Sequence, residues 1–74
     1  MPIEVRSELG ANVWKVLVTP GQSVKADDVL LILESMKMEV TVLAPEAGTI
    51  IAVLVAEGDA IDEDAALVTI ETGA

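Results

Sequence analysis

The stretch GQSVKADDVLLILE at residues 21–34 decides how this chain is read, because it returns 37 residues later as GDAIDEDAALVTIE at residues 58–71. Gly21 falls on Gly58, Val24 on Ile61, Asp27 on Asp64, Leu30 on Leu67, Leu33 on Ile70 and Glu34 on Glu71. Upstream, Val16 and Val18 fall on Val53 and Val55 at the same offset, whereas Gly10 meets Gly48 only at an offset of 38, which predicts one extra residue in a turn. Read alone, residues 27–39 suit a three-turn helix, with Leu, Met, Glu and Lys behind two capping aspartates. The second copy removes that option. Its segment from Leu67 to Glu71 carries Thr69 inside it and has no helical period, so both copies read as strands. A few strands per copy cannot bury a face alone, and the simplest expectation is two copies packed on each other as a two-fold sandwich.

The rest of the chain agrees. Residues 2–6 begin with proline and place Ile3 and Val5 at period two, which suits an edge strand. Residues 8–12, with Gly10, read as a turn, and residues 12–18 as a strand rich in β-branched side chains. Residues 19–23 (TPGQS) and 26–28 (ADD) are turns, residues 29–33 a strand. Residues 41–43 and 49–55 are strand-like around the turn APEAG at 44–48, and a turn at 57–59 precedes the closing strand 67–71. Turn signals every ten residues or so predict a sandwich or barrel within one domain spanning residues 1–74.

Composition excludes several kinds of chemistry. The sequence has no Cys and no His, so disulfides, thiolate metal sites and the commonest general base are missing. Thirteen acidic against four basic residues give a net charge of −9, which repels phosphate backbones and anionic lipid, and Trp14 is the sole aromatic. Neither a nucleic-acid nor a membrane role is expected. The apolar runs fall far short of the ~20 residues that span a bilayer, and the N-terminus lacks the pattern of a signal peptide, which predicts a cytoplasmic protein. The acidic run at 57–64 lacks the alternation of a calcium loop and reads as a solvated turn, with no metal expected. Trp14 is expected to be partly buried packing, and the recurring glycines Gly10, Gly21, Gly48 and Gly58 to serve turn geometry.

The repeat also locates the one stretch it does not explain, Glu34-Ser35-Met36-Lys37-Met38-Glu39. At the common offset Lys37 corresponds to Ala74, the last residue given. Lys37 therefore falls where the first copy crosses into the second, at a hairpin that no Gly or Asn marks. A lysine at a hairpin tip is a long flexible stem with an amine that can be acylated, and flanking methionines adapt to different partner surfaces.

Glu-Ser-Met-Lys-Met, followed by a Pro-x-x-Gly turn and a further glycine turn, resembles the biotinyl domain of biotin-dependent carboxylases. The resemblance runs from Ile3 to Glu71. It implies an all-β fold, a flattened barrel-sandwich of two four-stranded antiparallel sheets with quasi-two-fold symmetry, here without the protruding "thumb" found in some members. It implies that Lys37 carries biotin in an amide bond, placed there by a biotin protein ligase, with Met36 and Met38 as flanking recognition residues. Glu34, Ser35 and Glu39 are further candidates for ligase recognition. It also implies partners, a biotin carboxylase and a carboxyltransferase with an acyl-CoA acceptor, and no catalytic residue in this chain. A lipoyl carrier shares the fold and hairpin but usually has Asp-Lys-Ala around the lysine, and an unmodified interaction module is the third reading.

Overall fold

A computed structural model describes residues 2–72, which form eight strands and no helix. They are β1 (Pro2–Arg6), β2 (Ala11–Val16), β3 (Ser23–Val24), β4 (Val29–Ser35), β5 (Met38–Leu43), β6 (Gly48–Val53), β7 (Ala60–Ile61) and β8 (Ala66–Glu71). The strand at the second predicted position starts one residue early and stops at Val16, so Asn12 belongs to the strand and not to the turn before it. The fifth strand begins at Met38, well ahead of the predicted residue 41. The two-residue strands β3 and β7 are too short for any periodicity to announce.

One antiparallel sheet has the order β1-β8-β6-β3, the other β5-β4-β2-β7. Adding four to each strand number of the first half, and subtracting four in the second, turns one sheet into the other. Register obeys the same rule. Asn12 pairs with Glu34 and Val13 with Leu33, as Thr49 pairs with Glu71 and Ile50 with Ile70. Even the irregularities repeat, with a one-residue slip between Val13 and Lys15 and another between Ile50 and Ala52. Loop bonds match too: the Gly21 N–H donates to the Ile50 carbonyl at 2.7 Å, and the Gly58 N–H to the Val13 carbonyl at 2.7 Å.

The expected two-fold sandwich of two four-stranded sheets is present, but it is not one half laid on the other. Each sheet takes two strands from either half, so the halves interleave, and neither half closes a sheet of its own. The reason is burial. The sequential partners β1 and β2, like β5 and β6, end up in opposite sheets, which lets each half contribute apolar side chains to both walls of one core. That core contains Val13, Leu30, Leu31 and Leu33 beside their counterparts Ile50, Leu67, Val68 and Ile70, all essentially inaccessible.

Backbone conformation separates the glycines that the sequence grouped together. Gly21 and Gly58 have φ of 91° and 94°, and equivalent Asp27 and Asp64 have 71° and 73°, so these are paired left-handed turn positions. Gly48 serves closeness instead. A Cβ there would lie 2.4 Å from the Glu71 carbonyl oxygen and 2.7 Å from Ile70 Cγ2. Its true counterpart is Ala11, because β2 and β6 start 37 residues apart, and the extra turn residue inferred from Gly10 does not exist. Gly10 meets nothing nearer than the Ile61 carbonyl at 3.7 Å.

The remaining left-handed residues are Met36 and Lys37, with φ of 51° and 66°. They form the two-residue connection between Ser35 and Met38, which pair across it. Positive φ at both central positions is the type I′ arrangement whose twist matches that of the strands, and it normally calls for Asn-Gly. Side chains with a Cβ each cost roughly 1 kcal/mol there. The equivalent position at Ala74 lies outside the described residues.

Two outcomes follow in urea or thermal unfolding. Gly48→Ala is expected to lose about 2 kcal/mol or more, since backbone and a buried isoleucine must shift, whereas Ala11→Gly at the equivalent site loses under about 1 kcal/mol. Lys37→Gly is expected to gain about 1 kcal/mol by relieving the left-handed turn, and a loss of stability would show that the lysine side chain holds the hairpin.

Candidate functional site

The six residues singled out in the sequence form one β-hairpin. Glu34 and Ser35 end β4, Met36 and Lys37 make the turn, and Met38 and Glu39 open β5. Its stem is anchored by alternation. Leu31 and Leu33 point into the core from the strand that leads to the tip, with 0% and 1% exposure, while Glu34 faces solvent. The base is also tied sideways, where the half-buried Ser35 donates its Oγ–H to the Gly10 carbonyl at 3.3 Å. Beyond the pair of Ser35 with Met38, no side chain of the turn is held by a hydrogen bond among the described residues. Met36 is 92% exposed and Met38 66%, and Lys37 is exposed between them.

Among the described residues no hydrogen bond or ion pair holds the Lys37 amine. Glu34 and Glu39 are directly opposed across the hairpin, an arrangement of like charges that costs a few tenths of a kcal/mol. The arrangement therefore consists of an exposed, unpartnered primary amine, two exposed thioethers and a negative collar one residue pair below them. It offers a nucleophile and adaptable contacts, with neither an imidazole nor a thiol in the chain to activate it.

The other candidates resolve into structural parts. In the acidic run, Asp59 accepts the Ala56 N–H at 2.8 Å, as the equivalent Gln22 accepts the Thr19 N–H at 3.2 Å, and Glu57 accepts the Val16 N–H at 3.1 Å. These carboxylates shape turns, and no three His, Cys, Asp or Glu of the described residues converge as metal ligands would. Trp14 departs from expectation. Alternation from the buried Val13 turns it outward, 45% exposed, with the Lys15 ammonium 5.6 Å from the ring centre. The sequence did not announce a cleft of about 440 Å³ bounded by the free edges of β1 and β5 and floored by Val5, Leu33 and Val40. Among the described residues no helix is long and apolar enough to cross a membrane.

Comparison with known proteins bears on this hairpin fold. The family described as "Biotin-requiring enzyme" (Biotin_lipoyl) matches residues 1–70. The chain is 48% identical over 61 residues to a protein of Mycobacterium leprae named "Biotinylated protein TB7.3 homolog", covering 82% of this chain and 86% of that one. It is 44% identical over 57 residues to the biotin carboxyl carrier protein of acetyl-CoA carboxylase from Haemophilus influenzae, covering 77% of this chain and 37% of the relative. The solved structure of a single-chain, multi-domain long-chain acyl-CoA carboxylase superposes with a TM-score of 0.87 at 29% identity, over 92% of this chain and 7% of that protein. With the family matched over residues 1–70 and a relative 48% identical over most of both chains, the chain belongs to the biotin- and lipoyl-carrying family of biotin-requiring enzymes.

Proposed function

We propose that this chain is a biotin carboxyl carrier in which Lys37 bears biotin through an amide bond, and that residues 1–74 make up a single carrier domain. The observation that carries the reading is the left-handed hairpin itself, which holds an unpartnered lysine at its tip and two almost bare methionines beside it. The residues fit the group: a solvent-exposed amine on a four-carbon stem, with no neighbouring side chain engaging it, leaves room for an acyl chain of any orientation. When bound, biotin supplies a ring nitrogen that accepts carboxylate at one active site and releases it at another.

Everything else is the work of this chain's own residues. The amine is the nucleophile toward an activated acyl group, and acylation removes its charge, which eases entry into apolar active sites. Met36 and Met38 meet those sites with unbranched, polarisable side chains, while Glu34, Ser35 and Glu39 form the recognition surface at the base of the tip. The core and hairpin stem stay fixed and the Lys37 side chain swings, so tethering raises the local concentration of the carried group at both sites. No catalytic step belongs to the chain in this reading. Its partners are a biotin protein ligase, a biotin carboxylase and a carboxyltransferase, in the cytoplasm. An acyl-CoA acceptor has the support of one relative, the carrier of an acetyl-CoA carboxylase, and of one solved long-chain acyl-CoA carboxylase, beside pyruvate and urea carboxylases.

The lipoyl reading is kept apart by Met36 and Met38, which replace the Asp-Lys-Ala type of surroundings, and by the biotinylated relative. Intact mass after incubation with a biotin protein ligase, ATP and biotin is expected to rise by one amide-linked biotin, and not at all for Lys37→Ala. A gain that survives Lys37→Ala would move the site to Lys15 or Lys25. A gain only with a lipoyl ligase would replace biotin by lipoate, and none with either would leave an interaction module.

A further inference from the structure

Sulfur in this protein is distributed in an unusual way. The sequence holds three methionines and no cysteine, and among the described residues the thioethers are confined to positions 36 and 38. Neither belongs to the apolar core, which is built from Val, Leu, Ile and Ala. Both stand in solvent, 92% and 66% exposed, on either side of Lys37. A two-electron oxidant diffusing to the described surface therefore meets its most reactive targets at the one hairpin whose side chains have to fit partner enzymes.

We infer that Met36 and Met38 form a reversible oxidation site, and that their conversion to sulfoxides by a peroxide slows acylation of Lys37. The inference rests on the reading that Lys37 is acylated. In the step itself, a thioether lone pair attacks one oxygen of hydrogen peroxide, forming an S–O bond and breaking the O–O bond. The departing hydroxide takes the proton of the transferred hydroxyl and leaves as water, so the sulfur loses two electrons and the peroxide gains them. Each apolar, flexible side chain becomes polar and chiral, which suits an aqueous turn and not an apolar contact in a partner's pocket. The fold has no stake in the change, since no core contact is lost. Sulfoxide reductases, one for each epimer, return the thioethers to their starting state.

The test uses the unmodified protein, treated with hydrogen peroxide, cleared of peroxide by catalase, and then given biotin protein ligase, ATP and biotin. Peptide mass mapping is expected to place one added oxygen on each of Met36 and Met38, with the β-sheet circular dichroism unchanged. The initial loading rate is expected to fall about fivefold or more and to recover after treatment with both methionine sulfoxide reductases. In Met36→Leu/Met38→Leu, whatever its own rate, the ratio of treated to untreated loading is expected to stay near one. Equal loading of oxidised and untreated wild type overturns the inference, as does a fall that the reductases cannot reverse, or an equal fall in the leucine variant, which would point to Trp14. If the untreated protein does not load at all, the carrier reading fails first and this inference fails with it.

Discussion

The apolar core that β4 and β8 both feed is the constraint on which the rest of the molecule depends. These two strands come from different halves of the chain, occupy interior positions in different sheets, and carry Leu30, Leu31, Leu33, Leu67, Val68 and Ile70, none more than 1% exposed. In a domain of this size, which removes only about 60% of its unfolded surface from water, so few side chains supply much of the hydrophobic driving force. Their central positions also account for the interleaving. Each central strand needs neighbours on both sides, and the neighbours come from both halves.

Function is attached to the same element. β4 runs out of the core at Leu33, and four residues later the chain reaches Lys37. The best-buried strand of one sheet is thus the stem of the most exposed turn. A carrier needs this combination, because a tip on a loose loop would gain nothing from being tethered, and a tip packed on its neighbours could not enter another enzyme. Two non-glycine residues with positive φ are retained at that tip, where Asn-Gly would be more stable. Local strain is tolerated where the side chains are needed for something other than folding.

The halves were legible in the sequence because they repeat at one spacing, and the repeat overruled helix-forming residues between Asp27 and Glu39. It also located Lys37 at a crossing that local turn chemistry hides. What stayed illegible has physical reasons. Two-residue strands such as Ser23–Val24 show no period. The extra residue in β2 that leaves Trp14 and Lys15 both exposed carries no compositional mark. Gly10 and Gly48 look alike as letters, but one has room for a Cβ and the other is pressed against Glu71 and Ile70, a difference that exists only once β6 and β8 are side by side. Interleaving is equally silent in a repeat, since the same spacing is compatible with halves that stack and halves that exchange strands.

That exchange of strands bears on the hairpin in one further way. The ladder that joins β4 of the first half to β5 of the second closes at Ser35 and Met38, so Met36 and Lys37, beyond its last pair, make none of the pairing that couples the halves. The functional tip is mechanically idle within its own fold. An enclosing active site can bend, twist or flatten it, and the deformation ends at Ser35, as it would at the clamp of a cantilever.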